Sequence, residues 1–279
     1  MFPHTARTAS RHRTETAPMT PRHDADSGSV TGSTAGSTAG SGPVWERPEP
    51  PARPTPGPLS RALIVGAALE LADADGLEGV SMRRVAAALE VGPMRLYGYV
   101  ETKAELLELM VDAVYAEIAP GPAGVRPAPP EQWRQQLRTI AGRHRAAALR
   151  HEWFTQLLGG RPHLGPNALA ALESVLAAVR GIPGFAGRPT LVQQAAGVFH
   201  AYLAGRLRVE VAQRQEERTE GYSDADWQRA MGPYLVRVLA AGRHPALAEV
   251  MAEAEHLPRG EEFAAGLELV LDGIAAQVS

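Results

Sequence analysis

From Leu59 onward the chain holds no alternating apolar and polar run of useful length, while apolar residues recur at spacings of three and four. A strand needs a period of two and a helix one near 3.6, so this pattern commits the chain to helices packed on helices. The fold class is all-α. Breakers divide the pattern: Asp75-Gly76, Val91-Gly92-Pro93, the Pro/Gly cluster over 120–130, Gly159-Gly160-Arg161-Pro162, Gly181-Ile182-Pro183-Gly184, Gly221 and Pro258-Arg259-Gly260. Between them, helices are expected over 59–74, 82–89, 93–99 and 102–118, closing one unit at about residue 119. A second unit, 131–279, is expected to hold helices near 131–149, 151–158, 166–180, 189–218, 224–241, 245–256 and 261–277.

Residues 1–58 have no apolar period. They carry the near-repeat Gly32-Ser33-Thr34-Ala35-Gly36-Ser37-Thr38-Ala39-Gly40 and a proline-dense run over 48–58. Such a segment buries too little to offset the entropy of ordering it, which predicts a disordered tail. Its arginines and histidines are read as a passive extension rather than as DNA contacts, and Met19 is an alternative start.

Bulk charge is close to balance, with 28 Lys+Arg against 31 Asp+Glu, so any affinity for nucleic acid must be local. The absence of cysteine excludes disulfides and thiolate metal sites. No apolar run reaches the ~20 residues of a membrane span, and no apolar stretch follows the basic N-terminus as in a signal peptide. The expectation is a soluble cytoplasmic protein without a membrane partner.

Two short helices joined by a tight turn and preceded by a longer one describe a helix-turn-helix. The pattern supplies small residues for the helix crossing (Ala86 to Ala88), a turn at Glu90-Val91-Gly92, and a proline suited to a first helical position at Pro93. Arg95, near the start of the second helix, and Arg83, in the first, can reach base edges, and arginine reads guanine bidentately. Tyr97, Tyr99 and Lys103 suit the phosphate backbone, which fixes register without carrying sequence information. Taken singly, each is equally an ordinary solvated or core-edge side chain; only their joint spacing selects DNA. Over 81–103 four basic residues face two acidic ones, but over 59–110 five basic residues face eight acidic ones. The basic footprint is thus confined to the reading helices, which predicts weak non-specific binding and strong salt sensitivity.

The run Leu96-Tyr97-Gly98-Tyr99-Val100-Glu101-Thr102-Lys103-Ala104-Glu105-Leu106-Leu107 resembles the signature of the tetracycline-repressor (TetR) family. The resemblance continues through Trp133-Arg134, His151-Glu152-Trp153, Gly165-Pro166-Asn167 and the helix from Phe263 to Gly273, about four-fifths of the chain. It implies base contacts from Pro93, Met94, Arg95 and Arg83, and phosphate contacts from Tyr97, Tyr99 and Lys103. Gly98 stands where a larger side chain is common, and Tyr99 replaces a frequent histidine. The resemblance also implies a dimer on a palindromic double-stranded DNA operator, and a C-terminal bundle holding a small-molecule effector. The dimer would be held by the helices near 189–218 and 261–277. The stripe Leu267, Val270, Leu271 and Ile274 is a candidate interface, with an intramolecular core face as the alternative.

Candidate effector contacts are His144, Phe154, Gln156, Gln193, His200 and Tyr202, each of which taken alone reads more readily as a core or surface residue. Tetracycline repressors place a metal-holding histidine just before a Gly-x-Arg-Pro turn; Leu158 stands there in this chain, which implies a more apolar effector than a metal–tetracycline complex. Two other classes compete. A regulator answering to a protein partner would need no pocket. An enzyme would need chemistry that is hard to find: His144 and His151 lie seven apart, a poor metal spacing, and no phosphate loop, nucleophile elbow or carboxylate cluster is present. No cofactor and no metal are expected.

Overall fold

The computed structural model describes residues 42–50, 59–119, 129–160, 162–221, 224–255 and 257–278. Every regular element among them is helical. The expected tail over 1–41 and 51–58, and most of the 120–130 linker, lie outside the described residues. Residues 42–50 depart from the expectation of a disordered tail: Val44 is only 1% exposed, and Arg47 is paired with two carboxylates.

The first unit is built by caps. Ser60 opens α1 (Arg61–Asp75), its hydroxyl accepting from the Leu63 amide, and Gly76 closes it at φ 71, a left-handed angle that suits glycine. Ser81 does the same for α2 (Met82–Ala88), accepting from the Arg84 amide at 3.2 Å. Helix α3 (Pro93–Leu96) follows, and Thr102 caps α4 (Lys103–Ile118). The expected third helix, 93–99, is shorter than its pattern suggested: it stops at Leu96, and 97–99 continue as a turn. Ile64, Ala68, Val85, Ala86, Leu96, Val100, Leu106 and Met110 form the core where these helices cross.

The second unit comprises α5 (Trp133–Arg150), α6 (Phe154–Leu157), α7 (Pro166–Arg180), the 32-residue α8 (Pro189–Glu220), α9 (Asp224–Ala240), α10 (Pro245–Glu253) and α11 (Arg259–Ala275). Leu137, Phe154, Val175, Phe185, Phe199, Leu203 and Leu207 fill its centre.

Three polar ties join these helices. Asp112 on α4 accepts from the Asn167 and Ala168 amides at 3.0 and 2.9 Å, capping α7 from a distant helix. A Cβ at Gly165 would lie 2.2 Å from Asp112 Oδ1, so only glycine fits there. Where α1, α4 and α5 end together, His151 places Nδ1 2.8 Å from Asp73 Oδ1 and Nε2 3.1 Å from Glu117 Oε1, while Trp153 Nε1 donates to Asp73 at 2.7 Å. Arg145 on α5 forks onto the buried Glu210 of α8 at 2.9 and 2.5 Å, with its guanidinium 5.7 Å from the Phe263 ring.

Candidate nucleic-acid interface and buried histidine pair

The turn between α2 and α3 is closed by Val91 N–H donating to Ala86 O at 2.9 Å. Its left-handed residue is Glu90, at φ 54, rather than the glycine that follows at position 92. Small, fully buried Ala86 lets the helices approach, and α3 turns its apolar side, Leu96, inward. The opposite side is left to solvent: Met94 is 80% exposed and Tyr97 43%. Arg83, Pro93 and Lys103 are also exposed; Arg95 and Tyr99 are half-buried, and the Tyr99 ring packs against the core.

Charge pairing sorts the cations of this module. Arg84 is tied to Asp75. Arg83, Arg95 and Lys103 have no carboxylate partner among the described residues, so three positive groups of this module stay without a compensating acid. Free cations of this kind are what a polyanion displaces counterions to reach.

In the second unit, His144, Phe154 and His200 converge with Tyr115 and His163. The His144 and His200 rings stand edge to face at 6.4 Å; Tyr115 lies 6.2 Å from His144, 5.4 Å from Phe154 and 6.3 Å from His163. Each of the paired imidazoles donates its Nδ1 hydrogen to a carbonyl one turn back, His144 to Ile140 O at 2.9 Å and His200 to Ala196 O at 2.8 Å. Burial pushes His144 down from the usual 6.5 to about 4, with its bond to Ile140 opposing and His200 adding to the effect; burial also lowers His200. Both rings are therefore neutral at pH 7, with the lone pair on Nε2. Neither Nε2 has a hydrogen-bond partner among the described residues, and neither is sealed from open space.

The other expected effector contacts lie elsewhere. Gln156 and Gln193 are exposed, outside this cluster. Tyr202 gives its hydroxyl to Phe263 O at 2.6 Å and ties α8 to α11. His144 and His151, weighed together as a metal pair, belong to different clusters, and no group of three or more His, Asp or Glu among the described residues is arranged to hold a metal. The sequence reading missed Tyr115 and His163. Tyr115 sits in an ordinary apolar helical pattern, and His163 reaches the cluster from beyond the turn that follows Leu158.

The turn-helix with its exposed face and the all-helical second unit define the class: a helix-turn-helix DNA-binding protein with a C-terminal helical bundle. Comparison with known proteins agrees. The model described as "Bacterial regulatory proteins, tetR family" matches residues 64–110, and that described as "Tetracyclin repressor-like, C-terminal domain" matches residues 126–278. The chain is 39% identical over 236 residues to the HTH-type transcriptional repressor DrrR1 of Streptomyces coeruleorubidus, covering 85% of this chain and 84% of that one. It is 34% identical over 238 residues to an HTH-type transcriptional regulator of Saccharopolyspora erythraea, covering 81% and 94%. The structure of the TetR family protein ActR of Streptomyces coelicolor in complex with actinorhodin matches with a TM-score of 0.65 at 26% identity, over 80% of this chain and all of that one. This protein belongs to the TetR family of bacterial transcriptional regulators. It is a DNA-binding regulator and not an enzyme. Among the described residues, no helix is long and apolar enough to cross a membrane.

Proposed function

We propose that the protein is a repressor that binds a palindromic operator as a dimer and releases it when a small aromatic molecule enters the His144–His200 cluster. The observation that carries this reading is the pair of enclosed neutral imidazoles with unpartnered Nε2 atoms. A donor brought by a ligand can take up each free Nε2 lone pair, a net gain of about 0.5–1.5 kcal/mol per hydrogen bond. The surrounding faces of Tyr115, Phe154 and Phe199 suit a flat ring system. The effector expected is thus an aromatic compound carrying hydroxyl donors. The complex of ActR with actinorhodin supports a small-molecule effector by analogy.

On the DNA side, Arg83, Pro93, Met94 and Arg95 are assigned to base edges, and Tyr97, Tyr99 and Lys103 to phosphates. Dimerisation is assigned to the outward faces of α8 and α11. Gly197, Ala201, Gly205 and Ala212 line one exposed face of α8 with Val198 and Val209 beside them, and Ala265, Leu269 and Gly273 line an exposed face of α11. Small residues let such faces approach closely, and a Cβ at Gly197, Gly205 or Gly273 would meet nothing within 4 Å in the single chain.

The test uses duplexes selected by the protein from a random pool, with dihydroxyanthraquinone and its dimethyl ether as probes. The dihydroxy compound should release the duplex and the ether should not, because methylation removes the donors. A double variant, His144→Phe with His200→Phe, should keep DNA binding and lose the response. Equal release by both compounds, or full response in the double variant, overturns the assignment.

A further inference from the structure

Residues 42–50 hold to the base of the reading head. Glu46 N–H donates to Pro43 O at 2.9 Å and closes a turn, with Val44 buried beneath it. Arg47 then meets the start of α4: Nη1 pairs with Glu101 and Nη2 with Glu105 at 2.5 Å. Glu105 already belongs to the cap of that helix, accepting from the Glu101 amide at 2.8 Å while its own amide donates to Thr102. Arg61 anchors the strap from the other side. It donates to Arg47 O at 2.5 Å and to Tyr99 O at 3.0 Å, and its amide donates to Glu49 at 3.1 Å. Pro50 lies beside Gly98, so that a Cβ there would be 3.7 Å from its ring.

This places a guanidinium between two carboxylates that flank Lys103 in sequence, at a helix N-terminus assigned to the phosphate backbone. Arg47 Nε is buried without a partner, a cost that a segment serving stability alone would gain by shedding. We propose that residues 42–50 are a working part of the DNA-binding surface and that Arg47 is its positioning residue, screening Glu101 and Glu105 from the duplex. The tail read from sequence as a passive extension therefore ends in an element that sets the charge of the reading head.

The inference rests on the assignment of Lys103 to a phosphate, and it orders a charge series. The patch of Arg47, Glu101 and Glu105 carries one net negative charge. Arg47→Gln makes it two, Glu101→Gln with Glu105→Gln makes it one positive, and the triple variant makes it neutral. Glutamine at 105 keeps the cap. Affinity for a fluorescein-labelled duplex of random sequence, read by anisotropy at low salt, should fall about five-fold for Arg47→Gln and rise by a similar factor for the double variant. The triple variant should bind at least as well as the natural protein. All differences should shrink at high salt, which screens charge but leaves a folding defect untouched. An unchanged Arg47→Gln protein, a triple variant no better than Arg47→Gln, or differences that persist at high salt would overturn the proposal. If Arg47→Gln fails to fold by circular dichroism, the double variant decides: no tightening sinks the idea. Lys103→Ala separates the two readings. If it leaves binding unchanged, the phosphate assignment itself falls; if it weakens binding while the series shows no order, only the role of the strap falls.

Discussion

His144 is a side chain whose environment sets its protonation, and through it the stability of the fold. Its folded value of about 4 lies below the unfolded 6.5, so the unfolded chain binds the proton more tightly. The stabilisation is therefore complete above pH 6.5, declines as pH falls toward 4, and levels off below that. The shift corresponds to roughly 3 kcal/mol across the window, with His200 adding in the same direction. Urea unfolding followed between pH 7 and pH 4 should show this loss, and a His144→Asn protein should show a shallower one. Equal slopes would mean that the ring is not held neutral. Sequence alone marked His144 and His200 as candidates, but a histidine on an apolar helix face carries no sign of its partner. The neutral pair exists only because α5 and α8 bring the two rings together.

Between elements, Asp112 and Gly165 form one joint. Asp112 satisfies two amides at the start of α7, and Gly165 leaves room for its carboxylate. Asp112→Ala removes that cap and should cost on the order of 1–2 kcal/mol. Gly165→Ala forces a Cβ into the carboxylate and should cost on the order of 1–3 kcal/mol. Because each acts through the other, the double variant should lose clearly less than the sum of the two single losses. Additive losses in denaturant midpoints would show the contact to be incidental. The glycine before Pro166 was legible as a helix start; its need to be glycine was not, since that need comes from a residue more than fifty positions earlier. The reading turn is similar. Its location followed from Glu90-Val91-Gly92, but the left-handed angle fell on Glu90.

For the whole molecule, the proposed dimer requires a face of the last helix that is open to a second copy. Leu267, Leu271 and Ile274 are 3%, 0% and 4% exposed and belong to the core of the single chain, so the stripe taken as a candidate interface is an intramolecular face. Leu269, at 76%, points the other way. Leu269→Glu should give folded monomers in analytical ultracentrifugation that lose operator binding, because two reading helices roughly 34–36 Å apart are what a palindrome requires. Leu271→Glu should instead unfold the bundle. A Leu269→Glu dimer with full operator affinity would move the interface off α11.

What the sequence determined by itself was local: the helical period, the breakers, and the cationic helix-turn-helix with its family signature. Each depends on residues a few positions apart, whose interactions the covalent chain enforces whatever the rest does. Only the tertiary structure decided that Leu271 lies inside and Leu269 outside, that the Tyr202 hydroxyl is taken up by α11, and that Arg47 reaches Glu105 across 58 positions. Periodicity tells which face of a helix is apolar but not what covers it. That depends on how each helix is rotated and where each loop returns it, and many distant contacts settle both together.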